Sequence, residues 1–394
     1  MKKLIINMLL VTTVFVAKTG AQGGYENVLN HIEENNATLA ALRERTEAQK
    51  IDASTGIWLA NPEIEFNYLW GSPKAIGKRT DISIRQTFDF PTAYIDRNRL
   101  AGLQSDNAGL AYKAGRTDIL LSARQVCINL TYQNNLVKEY SARLKNAESI
   151  AVMYKIKLEK GDANAIENNK AQLNRAAAMT ELSQIESERD ALLAELRRLN
   201  GGKEIVFQDC DFPDDALPAD FEGWYAEAET KSPVLQYVRA QIAIDKQQLQ
   251  LNKSLAMPKF SAGYMSEKIV GEHFQGISVG VSIPLFENKN RIKHAKAQVK
   301  ASEAALEDDK LQFYYHLQSL YLKAAALRQN KSVLKQSLSE NNSEKLLKKA
   351  FDAGEISLIN YLLELEYYYD AIVKLFETER DYELAIAELK AMEL

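Results

Sequence analysis

Two short stretches of this chain alternate apolar and polar residues with period two, and helical periodicity fills most of the rest. The clearest alternation lies within Pro258 to Phe286. There Ile277, Val279, Val281, Ile283 and Leu285 alternate with Gly276, Ser278, Gly280 and Ser282. Upstream, Phe260, Ala262 and Tyr264 face away from Lys259, Ser261 and Gly263. The second stretch opens at Pro62 with Ile64, Phe66, Tyr68 and Trp70 against Glu63, Glu65 and Asn67. After the turn sequence GSPKAIGKR, Thr80 to Phe90 sets Ile82, Ile84, Phe88 and Phe90 against Ser83, Arg85, Thr87 and Asp89. Period two places one face of each strand against an apolar phase and the other against water. Each strand has roughly the nine to eleven residues that cross a bilayer at a tilt. The pattern therefore predicts two membrane hairpins, 62–90 and 258–286, with Val279 and Val281 facing lipid and Ser278 and Gly280 facing a wet lumen.

The flanking sequence is rich in Ala, Leu, Glu, Lys and Gln, with few prolines or glycines to break it. Helices are predicted from Tyr25 to Leu59, Thr92 to Lys160, Ala163 to Leu199, Trp224 to Met257 with an interruption at Pro233, Asn288 to Asp352, and Ile356 to near the end. Heptad-like seams run through Leu182, Ile185, Leu192, Leu196 and Leu199, and through Tyr361, Leu365, Tyr368, Ile372, Leu375, Tyr382, Ile386 and Leu389. The order helix, hairpin, long helix, turn, helix occurs twice. Pro62 corresponds to Pro258, Ile82-Ser83 to Ile277-Ser278, Phe90 to Phe286, and Gly161-Asp162 to Gly354-Glu355. The repeats occupy 22–200 and 224–394, joined by an acidic, proline-bearing connector, 201–223, that reads equally as a linker or a small packed subdomain. At about 1.5 Å per residue each long helix is roughly 100 Å, and columns of that height need neighbours to bury their seams.

Composition narrows the compartment. Met1-Lys2-Lys3, an apolar run from Leu4 to Ala17 and a small-residue site ending at Ala21 predict a secretory signal peptide over 1–21. The run is about 14 residues, shorter than the roughly 20 of a spanning helix. A formal charge of -4 leaves no basic footprint, which argues against a nucleic-acid partner. The two cysteines, Cys127 and Cys210, fall far apart in a helix and in the connector. Free thiols are the preferred reading there and a disulfide the alternative.

Four strands are too few to close a membrane barrel, since the smallest have about eight and an open edge is not tolerated in lipid. Several chains must share one. The signal peptide, the duplicated half, the Pro-initiated hairpins, the ISVGVSIPLF run, and the related KKAFDAGEISLINYLLELE and KLEKGDANAIENNKAQL turns together resemble the TolC family of outer membrane efflux proteins. The resemblance covers essentially the whole mature chain. It implies a mainly α fold with a membrane β-barrel part: a homotrimer whose chains give four strands each to a shared twelve-stranded barrel in outer-membrane lipid, continued by a helical barrel through the periplasm. It further implies a passive exit duct for small solutes that meets a periplasmic adaptor (membrane fusion) protein and is served by an inner-membrane RND or ABC transporter. On this resemblance the turns at Gly161, Asp162, Gly354 and Glu355 are the adaptor-docking tips. Acidic residues beyond the tips close family ducts. Glu167, with Glu364 behind it, is the candidate constriction, although Asn360, Lys170 and Leu363 occupy the neighbouring positions where an acidic pairing would be completed. A solvated helix face is the plainer reading of both carboxylates. Tyr68, Trp70 and Phe274 at one strand end, and Trp58, Phe90 and Phe286 at the other, fit aromatic girdles, with ordinary strand-end packing as the alternative.

No enzymatic or cofactor chemistry is legible. His31, His273, His294 and His316 lack metal-ligand spacing, and the methionines form no cluster for a soft metal. No P-loop, nucleophile elbow or paired-carboxylate signature stands in a fitting context. The remaining alternatives are a duct for type I protein secretion and, from a different class, a periplasmic coiled-coil adaptor or scaffold. The second has no need of two hairpins of membrane length.

Overall fold

The computed structural model describes residues 22–213, 215–340 and 343–394. The predicted signal peptide lies outside the described residues. The first run of elements is α1 (Gln22–Asn35), α2 (Ala37–Ala53), β1 (Glu63–Trp70), β2 (Lys78–Phe88), α3 (Pro91–Lys160) and α4 (Ala165–Leu199). The second is α5 (Phe221–Lys231), α6 (Pro233–Ser254), β3 (Lys259–Ile269), β4 (Glu272–Ser282), α7 (Arg291–Glu340), α8 (Ser343–Asp352) and α9 (Leu358–Leu389). At 70 residues, α3 is about 105 Å long. No described helix is long and apolar enough to cross a membrane.

Several element boundaries differ from the sequence expectation, each for a local reason, while the predicted interruption at Pro233 is present. The helix predicted from Tyr25 to Leu59 is two helices. Buried Asn36 breaks it by accepting the Leu39 N–H on its side chain at 2.9 Å, which caps α2 in place of a continuous ladder. The second of them stops at Ala53, and Gly56 turns the chain with φ +67°, so Trp58 and Leu59 stand outside it. At the Pro233 interruption Ser232 accepts the Leu235 N–H and proline takes the first helical position, where its missing N–H costs nothing. The strand predicted to run on through Ile283 and Leu285 ends at Ser282, because Pro284 has no N–H for the ladder.

The four strands form one antiparallel sheet in the order β1-β2-β3-β4. The two hairpins therefore join each other: β2 pairs with β3 from Thr80 opposite Lys268 to Phe88 opposite Phe260. Strands β1 and β4 are left as edges. Gly77 (φ +88°) closes the first turn, and Gly271 (φ +82°) follows Val270 in the two-residue turn of the second.

The chain condenses into two units, each drawing segments from both repeats. The unit of Asn35–Ala123, Ala216–Gln336 and Leu384–Leu394 holds the sheet. One of its cores is helical, with Ala93 and Leu100 of α3 packed on Ile244 and Leu251 of α6. Asp96 ties the same helices by accepting from Gln247 at 3.1 Å and Ser254 at 2.6 Å. The other unit contains Arg124–Asp215, Ser337–Glu383 and the described part of Met1–Glu34. There the connector is a packed strap. Asn134 and Asn135 donate to the carbonyls of Asp209 and Cys210 at 3.1 and 2.7 Å, and Phe207 meets the Tyr25 ring edge-on at 5.3 Å. Both cysteines are free. Burial pushes the Cys127 thiol up to about 12, so it stays protonated and unreactive.

Candidate functional site

The sheet has two chemically opposite faces. Its register sets Ile64, Ile84, Tyr264 and Ile277 in one transverse row, with Phe66 and Ile82 in the next, where Ser266 and Gln275 interrupt the apolar run. Phe88, Phe260 and Val281 form another row on that same side, and Ala262 lies opposite Val279. The other face carries Glu63, Arg85, Gly263 and Ser278 in one row and Glu65, Ser83, Met265 and Gly276 in the next. The apolar face has no cover among the described residues: Ile277 is 86% exposed, Val279 80% and Ile64 72%. A contiguous exposed apolar surface of this kind marks contact with lipid or with another protein.

The aromatic residues sort by the parity of their strands. Tyr68 and Trp70 lie on the apolar face at the hairpin-turn end. At the helical end Phe90 is half-buried 6.4 Å from the Phe260 ring, and Trp58 and Phe286 are exposed in the segments flanking the strands. Phe274 differs from the expected girdle position. It sits opposite Glu267 on the polar face, in phase with Gly276 and Ser278. Even positions in β4 point that way, so the strand's own alternation already excludes Phe274 from the lipid side.

The helical turns are built alike in both repeats. Gly161 and Gly354 hold φ of +83° and +76°. At the first turn Gly161 N–H donates to Leu158 O at 3.1 Å and Asp162 N–H to Lys157 O at 2.8 Å. At the second, Gly354 N–H donates to Phe351 O at 3.0 Å and Glu355 N–H to Ala350 O at 2.9 Å. Both are Schellman closures, in which a left-handed residue lets the last carbonyls find donors. Asp162 and Glu355 thus complete the end of the preceding helix and do not stand in the first turn of the next. The true start of α4 is Asn164. Its side chain accepts the Glu167 N–H at 2.9 Å, while Glu167 Oε2 accepts the Asn164 N–H at 3.2 Å. This capping box gives Glu167 a local structural task. The second repeat has half of it, with Ser357 accepting the Asn360 N–H at 3.3 Å. Glu364 is exposed on α9, with no hydrogen bond or ion pair among the described residues.

Beneath the turns the second unit is cored by aromatics. Tyr154 stacks on Phe351 at 6.4 Å and Phe351 on Tyr361 at 4.4 Å, with Ile150, Ala171, Leu358 and Leu365 buried around them. Truncating the central ring, Phe351→Ala, should cost about 3–5 kcal/mol of local stability. Hydrogen exchange should show this as loss of protection in α8 and the start of α9 while the strands keep theirs; equal loss in the strands would mean the ladder is not a local core. Beside this core lies a groove of about 850 Å³ lined by α3, α4 and α9. Its charged lining is Arg143, Lys170, Glu181, Glu366 and Asp370, so neither Glu167 nor Glu364 belongs to it. Arg143 is held between the Tyr140 and Tyr369 rings at 4.3 and 4.1 Å, an assembly of residues 226 apart in sequence that periodicity alone does not disclose.

No protein-family model and no curated protein matches the sequence. Solved structures do match. The Campylobacter jejuni CmeC outer membrane channel superposes with a TM-score of 0.80 at 14% identity, covering 94% of this chain and 85% of that one. The outer membrane protein VceC of Vibrio cholerae gives 0.75 at 13% identity, over 94% and 96% of the two chains. The open state of the Neisseria gonorrhoeae MtrE outer membrane channel gives 0.77 at 13%, over 94% and 88%. At these identities the likeness shows the fold, and the fold is that of the TolC family.

Proposed function

We propose that a chain with this fold is the outer-membrane exit duct of a tripartite efflux system. Three copies pair their sheet edges, three times four strands, into one barrel. The apolar face turns to lipid, the polar face lines the lumen, and small solutes pass without chemistry. The observation that carries the reading is the sheet itself: one mainly apolar face, one mainly polar face, and two edge strands that lipid would leave unsatisfied unless another chain paired with them. The likeness to outer membrane channels supports it. The turns at Gly161 and Gly354 are then the surfaces that meet a periplasmic adaptor, with an RND or ABC transporter beyond it supplying the energy. Glu364, exposed and uncommitted, is the better candidate for a constriction, because Glu167 spends a carboxylate oxygen on its helix cap.

The expected result in detergent is a trimer extracted from the outer-membrane fraction that conducts ions across a planar bilayer. A monodisperse monomer with its full strand content would end the shared-barrel reading.

A further inference from the structure

The charges on the sheet are distributed unequally between its faces. Every carboxylate in the four strands, Glu63, Glu65, Asp81, Glu267 and Glu272, lies on the polar face. Arg79, on that face too, is paired with Asp81 at 2.8 Å and Glu267 at 3.1 Å. Within the strands the lipid-side face carries only two permanent charges, Lys78 and Lys268, and both stand at the hairpin-turn end. Lys78 is opposite Trp70, with its ammonium 5.7 Å from the Tyr68 ring centroid. Lys268 shares a row with Tyr68, Thr80 and His273. Both lysines are exposed, and among the described residues neither is in an ion pair.

Their depth is informative. Tyr264 is the middle residue of β3, and Lys268 is four residues on. At about 3.3 Å per residue and a tilt near 40°, that is roughly 10–13 Å from the midline. The apolar band of a membrane barrel is about 25 Å tall, so the ammonium reaches the hydrocarbon–headgroup boundary. The opposite end of each strand leads into the helices, and on the exported reading those lie in the periplasm. The hairpin turns therefore face outward.

We infer that Lys78 and Lys268, beside Tyr68 and Trp70, form a seat for the phosphate groups of the outer-leaflet glycolipid, the phosphorylated disaccharide of lipid A. Two cations free of acidic competition answer a ligand bearing fixed phosphates, and the flanking rings give its acyl–sugar boundary a place to lie. The inference rests on the outer-membrane reading above.

The test reconstitutes the full chain into phosphatidylcholine vesicles doped with lipid A, with dephosphorylated lipid A, or with phosphatidylglycerol at equal charge. Native mass spectrometry then reads the lipid retained. Wild type should enrich phosphorylated lipid A about tenfold over either comparison lipid, and the Lys78→Gln, Lys268→Gln double variant should bring the ratios near one. Lys259→Gln, on the polar face at the other end of β3, should keep the wild-type preference. Equal retention of the two lipid A forms by wild type, or an undiminished preference in the double variant, would overturn the seat. Equal enrichment of phosphatidylglycerol would overturn the glycolipid as its occupant. Failure to insert into any of the vesicles would instead overturn the membrane reading, and the seat with it.

Discussion

Ile277→Arg should empty the outer membrane of assembled protein, whereas Gly276→Arg, one residue away, should assemble normally. Ile277 is the middle residue of β4, in one row with Ile64, Ile84 and Tyr264, so the proposed barrel places it at the bilayer midplane. An arginine facing lipid at that depth costs about 2–4 kcal/mol. A trimer carries the substitution three times, roughly 6–12 kcal/mol in all, comparable with the whole stability of an ordinary domain. Gly276 points to the opposite face, in the row of Ser83 and Glu65, and a Cβ built there meets nothing within 4 Å. Its guanidinium would stand in water beside a carboxylate-bearing strand. Membrane fractionation followed by unheated electrophoresis distinguishes the two variants. Equal assembly of both would mean that Ile277 does not face lipid, and the opposite result would put every face of the sheet the wrong way round.

Much of this was legible in the sequence because the determinants are local. Alternation within a strand needs only its own residues, so the two faces of Ile277 and Ser278 could be assigned before any pairing was known. The Gly161 and Gly354 turns were equally accessible, since a glycine at the end of a long helical run announces a left-handed residue. Local competition was harder to weigh. Nothing in the helical periodicity shows that the Asn36 side chain captures a backbone N–H and divides the first helix, or that Glu167 is recruited by Asn164. Long-range assembly lay outside the sequence reading altogether. The pairing of β2 with β3 joins hairpins nearly two hundred residues apart, and the Tyr154–Phe351–Tyr361 stack gathers three separate helices. Phe274 is a case of another kind: it lies near a strand end, as a girdle residue would, but parity fixes the face and proximity does not.

The double variant Gly161→Val, Gly354→Val should leave the trimer in the membrane and stop export. Both glycines occupy the left-handed region, at φ +83° and +76°, and a Cβ at either finds open space. The substitution therefore acts through the backbone alone. Valine resists this conformation, at about 1–3 kcal/mol per site, and the turn can relieve the strain only by opening. Opening gives up the bonds from Asp162 N–H to Lys157 O and from Glu355 N–H to Ala350 O, whose carbonyls face water once released. The aromatic core beneath does not include the glycines, and the sheet is part of the other unit, so neither trimer closure nor insertion depends on them. Docking is different, because on the proposed reading it is the shape of these turns that an adaptor recognises. A loss of about 1.4 kcal/mol at one contact is a tenfold loss of affinity, and a trimer would present both turns of every chain. Export should therefore fall sharply, together with crosslinking between the turns and the adaptor, while the unheated trimer band and the membrane fraction stay at wild-type levels. Normal export by the double variant would show that the turns are not the docking surface. Loss of the trimer would show that they are structural, and their assignment to the adaptor would have to be withdrawn.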